Sequence, residues 1–146
     1  MGTTAYQTDI VAWANEQAAL IRMGKIDQMD LEHIAEEIED VGKSEQRELE
    51  NRMALLLAHL IKWRYQPERR GVSWLKTIKI QRKSILVRLK KTPSLTVSLN
   101  NAEWLESAWD DSLVIAAKET GIGIDVFPEV IPWEVNDVLT DGWLPE

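Results

Sequence analysis

The sequence contains no cysteine, and among its 146 residues there are only two histidines, two tyrosines, one phenylalanine and five prolines. Without a thiol there are no disulfide staples, no thiolate metal sites and no cysteine nucleophile. No apolar run approaches the ~20 residues of a membrane span, and the N-terminus lacks the basic-then-apolar build of a signal peptide. A soluble, cytoplasmic protein without a membrane role is expected. Serine chemistry finds no nucleophile elbow and no serine at a motif spacing from either histidine. A glycine-rich phosphate loop is missing too, because Gly121 and Gly123 lack a third glycine and a strand before them. No repeat or low-complexity segment is found, and no cofactor is expected. What is there is an ordinary apolar share of 45%, 28% charged residues and seven tryptophans. That composition fits one folded domain over residues 1–146.

The formal net charge of −7 hides unlike parts. Residues 27–50 hold ten acids against Lys43 and Arg47, a net of −8. Residues 62–91 hold eleven Lys or Arg against Glu68 alone, a net of +10. Residues 92–146 hold eleven acids against Lys118, a net of −10. Acid, base, acid is the charge order along the chain.

Periodicity predicts an all-α bundle of four to five helices. The first 26 residues read as a helix capped by Thr8 or Asp9 and ended by Gly24, with Ile10, Trp13, Ala14, Gln17, Ala18 and Ile21 on one face. A second helix opens at Asp27 or Asp30 and runs, continuous or kinked near Gly42, to about Tyr65. Its seam is Leu31, Ile34, Ala35, Ile38 and Val41, then Leu49, Met53, Leu56, Leu60 and Trp63. After a loop at residues 66–72, Ser73 caps a third helix to about Lys91, with Leu75, Ile78, Ile85, Leu86 and Leu89 as its core face. Ile80 and Val87 lie on another side. Pro93 or Ser94 begins a fourth helix that Gly121 and Gly123 end. Pro128, Pro132 and Pro145 leave room for one short helix at about 133–139. The segment from about 121 to 146 reads as a strap. Its Trp133 and Trp143 need a docking surface on the bundle or an interface to cover them.

Several blocks carry a resemblance. The run from Leu31 through His33, Glu36, Glu37 and Asp40 to Glu45, and the run from His59 to Glu68 followed by Ser73-Trp74, resemble the bacterial family called domain of unknown function 29. So do Tyr6 to Leu20, Glu119-Thr120-Gly121, and Phe127-Pro128-Glu129 through Pro132-Trp133. The resemblance spans nearly the whole chain and implies a single compact helical domain. It implies no activity and carries over no functional residue. Relatives often hold a cysteine in the segment before the last Pro-Trp pair, where this chain has Ile131.

Three constellations have chemical potential. His33, Glu36, Glu37 and Asp40 share one helix side, and an imidazole with carboxylates at that spacing can ligate a divalent metal through His33, Glu37 and Asp40. A solvated acidic face is the alternative. Arg52 and His59 match the loose Arg-x(4–6)-His pattern of higher-eukaryote-and-prokaryote nucleotide-binding domains, many of them metal-independent ribonucleases. A histidine there would move a proton while the arginine stabilises phosphorane charge. Against this, Met53 follows the arginine where a polar residue is usual, and His59 sits among apolar neighbours that suit a core histidine. Lys62, Arg64, Arg69, Arg70, Lys76, Lys79, Arg82 and Lys83, interleaved with Trp63, Tyr65 and Trp74, form a basic segment of the kind that binds nucleic acid. The alternative is neutralisation by the acidic helices.

The sequence therefore points to a binding or interaction module without catalysis, whose partner is another protein or a second copy. The second reading is a nucleic-acid-associated protein, with Arg52 and His59 cutting RNA. The third is a metal-dependent enzyme on the acidic helix.

Overall fold

The computed structural model describes residues 5–146, so residues 1–4 of the expected domain lie outside the described residues. It is all-α, with six α-helices: α1 (Ile10–Arg22), α2 (Leu31–Tyr65), α3 (Val72–Lys91), α4 (Thr96–Leu99), α5 (Ala102–Thr120) and α6 (Val135–Val138). Short 3-10 turns at Ile26–Gln28, Pro67–Arg69, Pro93–Leu95 and Ile124–Val126 join them. The chain divides into two compact units, Met1–Ser44 and Glu45–Glu146. The long helix α2 contributes to both. No helix among the described residues is long and apolar enough to cross a membrane.

The helix ends follow local chemistry. Asp9 caps α1 by accepting the Ala12 amide at 3.1 Å, and Gly24 follows its end with φ +70°. Helix α2 runs unbroken through Gly42, where the glycine costs helix propensity relative to alanine. Helix α3 starts at Val72 with Gly71 as its N-cap, two residues before the expected Ser73 cap, and it has no side-chain cap bond. The expected fourth helix is split. The Asn101 side chain accepts the Trp104 amide at 3.0 Å and starts α5 afresh, leaving the preceding residues as a 3-10 turn and the four-residue α4. Gly121, at φ +75°, closes α5 in the left-handed conformation.

In the unit Glu45–Glu146 the core gathers Leu49, Met53, Leu56, Leu57, Leu60 and Ile61 of α2, Ile78 and Ile85 of α3, and Trp109, Leu113 and Ala116 of α5. Phe127 and Val138 of the strap belong to the same core, and Trp133, Trp143 and Ile131 pack against it. Trp133 stands edge-on to Trp109 at 5.6 Å and to Trp143 at 5.8 Å. The Trp109 indole N–H donates to Pro128 O at 2.9 Å, so the largest core side chain has its one polar atom satisfied by the strap.

In the unit Met1–Ser44 only Trp13 and Gln17 are buried among the described residues. The expected seam is corrected here: Leu31, Ile38 and Val41 are exposed, Ile38 at 67%. A pair of helices shields only the strip where each faces the other, which here keeps Ile34 half-buried and leaves the stripe's margins in solvent. Polar and aromatic contacts do more of the joining in this unit than apolar burial does. In α3 the expected core face is also narrower than its periodicity, since Leu75 and Leu86 are exposed while Ile78 and Ile85 are buried.

Candidate functional site

The acidic helix start is built from interlocked side chains. Asp30 Oδ2 accepts from the Trp13 indole at 2.9 Å and lies 2.7 Å from His33 Nδ1. The Asp30 amide donates to Gln17 Oε1 at 2.7 Å. The Tyr6 ring stacks on His33 with centroids 4.3 Å apart, and its hydroxyl donates to Glu37. That bond, joined by neighbouring carboxylates, pushes the Tyr6 phenol up to about 12. The hydrogen bond to Asp30 raises the His33 pKa and lowers that of Asp30. His33 and Glu37 are thus engaged by neighbours in the same unit. Among the described residues, no group of three or more His, Cys, Asp or Glu side chains is placed to hold a metal ion, the set His33, Glu37 and Asp40 included.

Arg52 and His59 share a face of α2 two turns apart, but their functional atoms are directed elsewhere. Arg52 Nε lies 3.2 Å from Glu48, one turn back along the helix, and Nη1 donates to Gln81 of α3 at 3.4 Å. His59 is buried, and its Nδ1 lies 3.0 Å from Leu55 O, a bond in which the ring N–H donates. Burial holds its pKa below the ordinary 6.5, so the neutral ring is favoured. The Leu55 bond fixes the tautomer and leaves Nε2 as the ring's acceptor, while the contacts of Arg52 go to Glu48 and Gln81 and not to His59.

The basic segment separates into two groups. One is engaged within the fold. Lys62 Nζ lies 2.7 Å from Glu119 Oε2 and 4.9 Å from the Trp74 ring centre. Arg70 donates from Nε to Trp63 O at 2.7 Å and lies over the Trp63 ring at 5.0 Å. Arg64 lies over Tyr65, whose ring also meets Phe127 edge-on. Arg88 reaches Glu45 and Glu48 at 3.4 and 3.3 Å. The aromatic rings a base would stack on are therefore already in contact with the chain's own cations.

The other group faces outward. Arg69, Lys76, Lys79, Lys83 and Lys90 are exposed and form no ion pair among the described residues. Lys79, Lys83 and Lys90 border a groove of about 370 Å³ between α3 and the strap, with Arg82, Leu86, Val87, Leu139 and Asp141 as its other lining residues. Arg82 is unlike the lysines, being only 4% exposed. Its Nε donates to Val138 O at 2.8 Å and its Nη2 to Trp143 O at 2.5 Å, which pins the strap to α3. Burial lowers its pKa, opposed by the nearby Asp141 charge. Sequence reading found Lys79, Arg82 and Lys83 but not Leu86, Val87, Leu139 and Asp141 as their companions. The signal available was Val87, displaced from the core face by its spacing from Ile80.

No curated protein and no solved structure matches the chain. The model of the family described as domain of unknown function DUF29 matches residues 5–144, which takes in both compact units and the groove. The chain belongs to the DUF29 family.

Proposed function

We propose that this protein is a binding module without catalysis of its own, and that the outer face of α3 with the adjoining strap is its contact surface. The observation that carries the reading is the groove. Unpaired lysines ring an apolar floor beside a guanidinium held by two main-chain oxygens, whereas Lys62, Arg70 and Arg88 are engaged within the fold. Such a surface lowers its free energy by covering the floor while meeting negative charge at the rim. Nucleic acid is the weaker reading. Arg69, Lys76, Lys79 and Lys83 supply the positive charge it needs, but Trp63 and Trp74 are capped by Arg70 and Lys62.

The test is a photo-crosslinking side chain placed at Val87, with the same probe at the exposed Val114 of α5 as the control. In cells, Val87 should give a discrete adduct that the K79E/K83E variant loses, and purified protein should leave RNA uncleaved. Equal adducts at both positions, or RNA cleavage abolished in a folded His59→Gln variant, would overturn the reading.

A further inference from the structure

The groove specifies its ligand more closely than charge alone. We propose that it binds an anionic amphiphile, with a carboxylate or phosphate head against Arg82, Lys79 and Lys83 and an apolar chain along Leu86, Val87 and Leu139. The inference rests on the reading of the α3 face as a binding surface and adds the chemical class of what is bound.

Arg82 is the central observation. A guanidinium carries five N–H donors, and two nitrogens of Arg82 donate to main-chain oxygens of the strap. No carboxylate forms an ion pair with it among the described residues, although it is almost fully buried. Its direct bonds go to carbonyl oxygens and the Asp141 charge acts on it without a direct ion pair, so an anion with oxygen acceptors would complete its pairing. Lys79 and Lys83 sit one turn apart on the same helix and add point charge at that end. Asp141 on the strap side opposes a second negative group, which favours one compact head over a polyanion.

The floor decides the rest. Leu86 and Val87 are exposed at 47% and 43% and lie roughly 5–7 Å along the helix axis from Arg82 and Lys83. A hydrocarbon chain leaving the head in that direction covers them with no polar group of its own to desolvate. An extended peptide would lay amide and carbonyl groups over side chains that offer them no partner. A nucleic-acid backbone would cover the same floor with phosphate and sugar. The groove volume of about 370 Å³ suits one small ligand.

The full chain is titrated with decanoate and with decyl phosphate below their micelle concentrations, followed by calorimetry and by amide chemical shifts. Decanol and inorganic phosphate serve as the tail-only and head-only probes, and phosphatidylglycerol vesicles as the lipid arm. Saturable one-to-one binding with shifts centred on residues 79–90, weakened about tenfold in K79A/K83A and in Leu86→Glu, is the expected result. Vesicle binding with the same mutational pattern identifies a lipid headgroup as the source. Binding of the free amphiphiles alone identifies a soluble one. Decanol binding as tightly as decanoate, or binding indifferent to K79A/K83A, overturns the proposal. If no amphiphile binds while the Val87 adduct is a protein, the amphiphile is wrong and the binding module stands. If the adduct is also absent, both readings fall.

Discussion

Lys62 Nζ and Glu119 Oε2 are 2.7 Å apart, joining the last turn of α2 to the last turn of α5, and the two partners are unequally exposed: 11% for the lysine side chain, 45% for the glutamate. That inequality sets the sign of a mutational comparison. Lys62→Met leaves a carboxylate that water can solvate, whereas Glu119→Gln leaves an ammonium mostly out of water with the Trp74 ring as its remaining partner. Glu119→Gln is expected to destabilise by about 1–2 kcal/mol and Lys62→Met by less than ~1 kcal/mol. Urea denaturation of the two variants measures the order, and the reverse order would refute the argument.

The two histidines are expected to titrate on opposite sides of 6.5. His33 is raised by its hydrogen bond to Asp30, and His59 is lowered by burial. The raised His33 stabilises fully below 6.5, and that contribution is lost as pH rises through its folded midpoint. The depressed Asp30 stabilises above its ordinary 3.8 and loses that contribution as pH falls through its lowered midpoint. Their shared contribution is therefore complete between about pH 4 and 6.5. His59 acts the other way, since its neutral form stabilises above 6.5 and that contribution fades on acidification. Imidazole carbon-proton NMR titration reads both midpoints. A His59 midpoint above that of His33 contradicts the assigned contacts.

Two glycine-to-alanine changes should have opposite effects. Gly42 lies inside α2, and a β-carbon there meets nothing within 4 Å. Gly42→Ala is expected to stabilise by up to ~1 kcal/mol. Gly121 also has open space around it, but its φ of +75° is left-handed. Gly121→Ala should cost about 1–2 kcal/mol from backbone conformation alone. Thermal unfolding distinguishes the pair, and a stabilising Gly121→Ala would contradict the left-handed cap.

The strap is held by Trp133, which meets Trp109 and Trp143 edge-on. Trp133→Ala removes both ring pairs and part of an apolar contact, so a loss of about 2–3 kcal/mol is expected. Near-ultraviolet circular dichroism should lose intensity at the same time. An unchanged spectrum with unchanged stability would mean the strap does not depend on this ring.

Much of this architecture is legible from residue spacing, and the failures share a cause. Asp9, Gly24 and Gly121 announce helix ends because their chemistry is local, and α2 continues through Gly42 because 35 helical residues absorb one poor helix former. Asn101 is a favoured capping residue too, but Leu99, Ala102 and Leu105 stand at three-residue spacing across it, which reads as one continuous helix. Burial is less local. Leu86 and Ile38 hold the same kind of register positions as Ile85 and Leu56, and only the placement of other segments decides which are covered. The same holds for the basic segment. Lys62 and Lys83 look alike in sequence, and Glu119, 57 residues away, is what separates them.

The boundary between the two compact units falls inside helix α2, so a shortened chain beginning near Ser44 would open on helical residues. Ser44 is a favoured capping residue, and Glu45 would place negative charge at the first helical position, where the helix dipole favours it, against Arg47 two positions on. The remaining stretch would keep every core residue of the unit Glu45–Glu146 and the whole groove. The break that a designer would seek in a loop is thus already written into the middle of a helix.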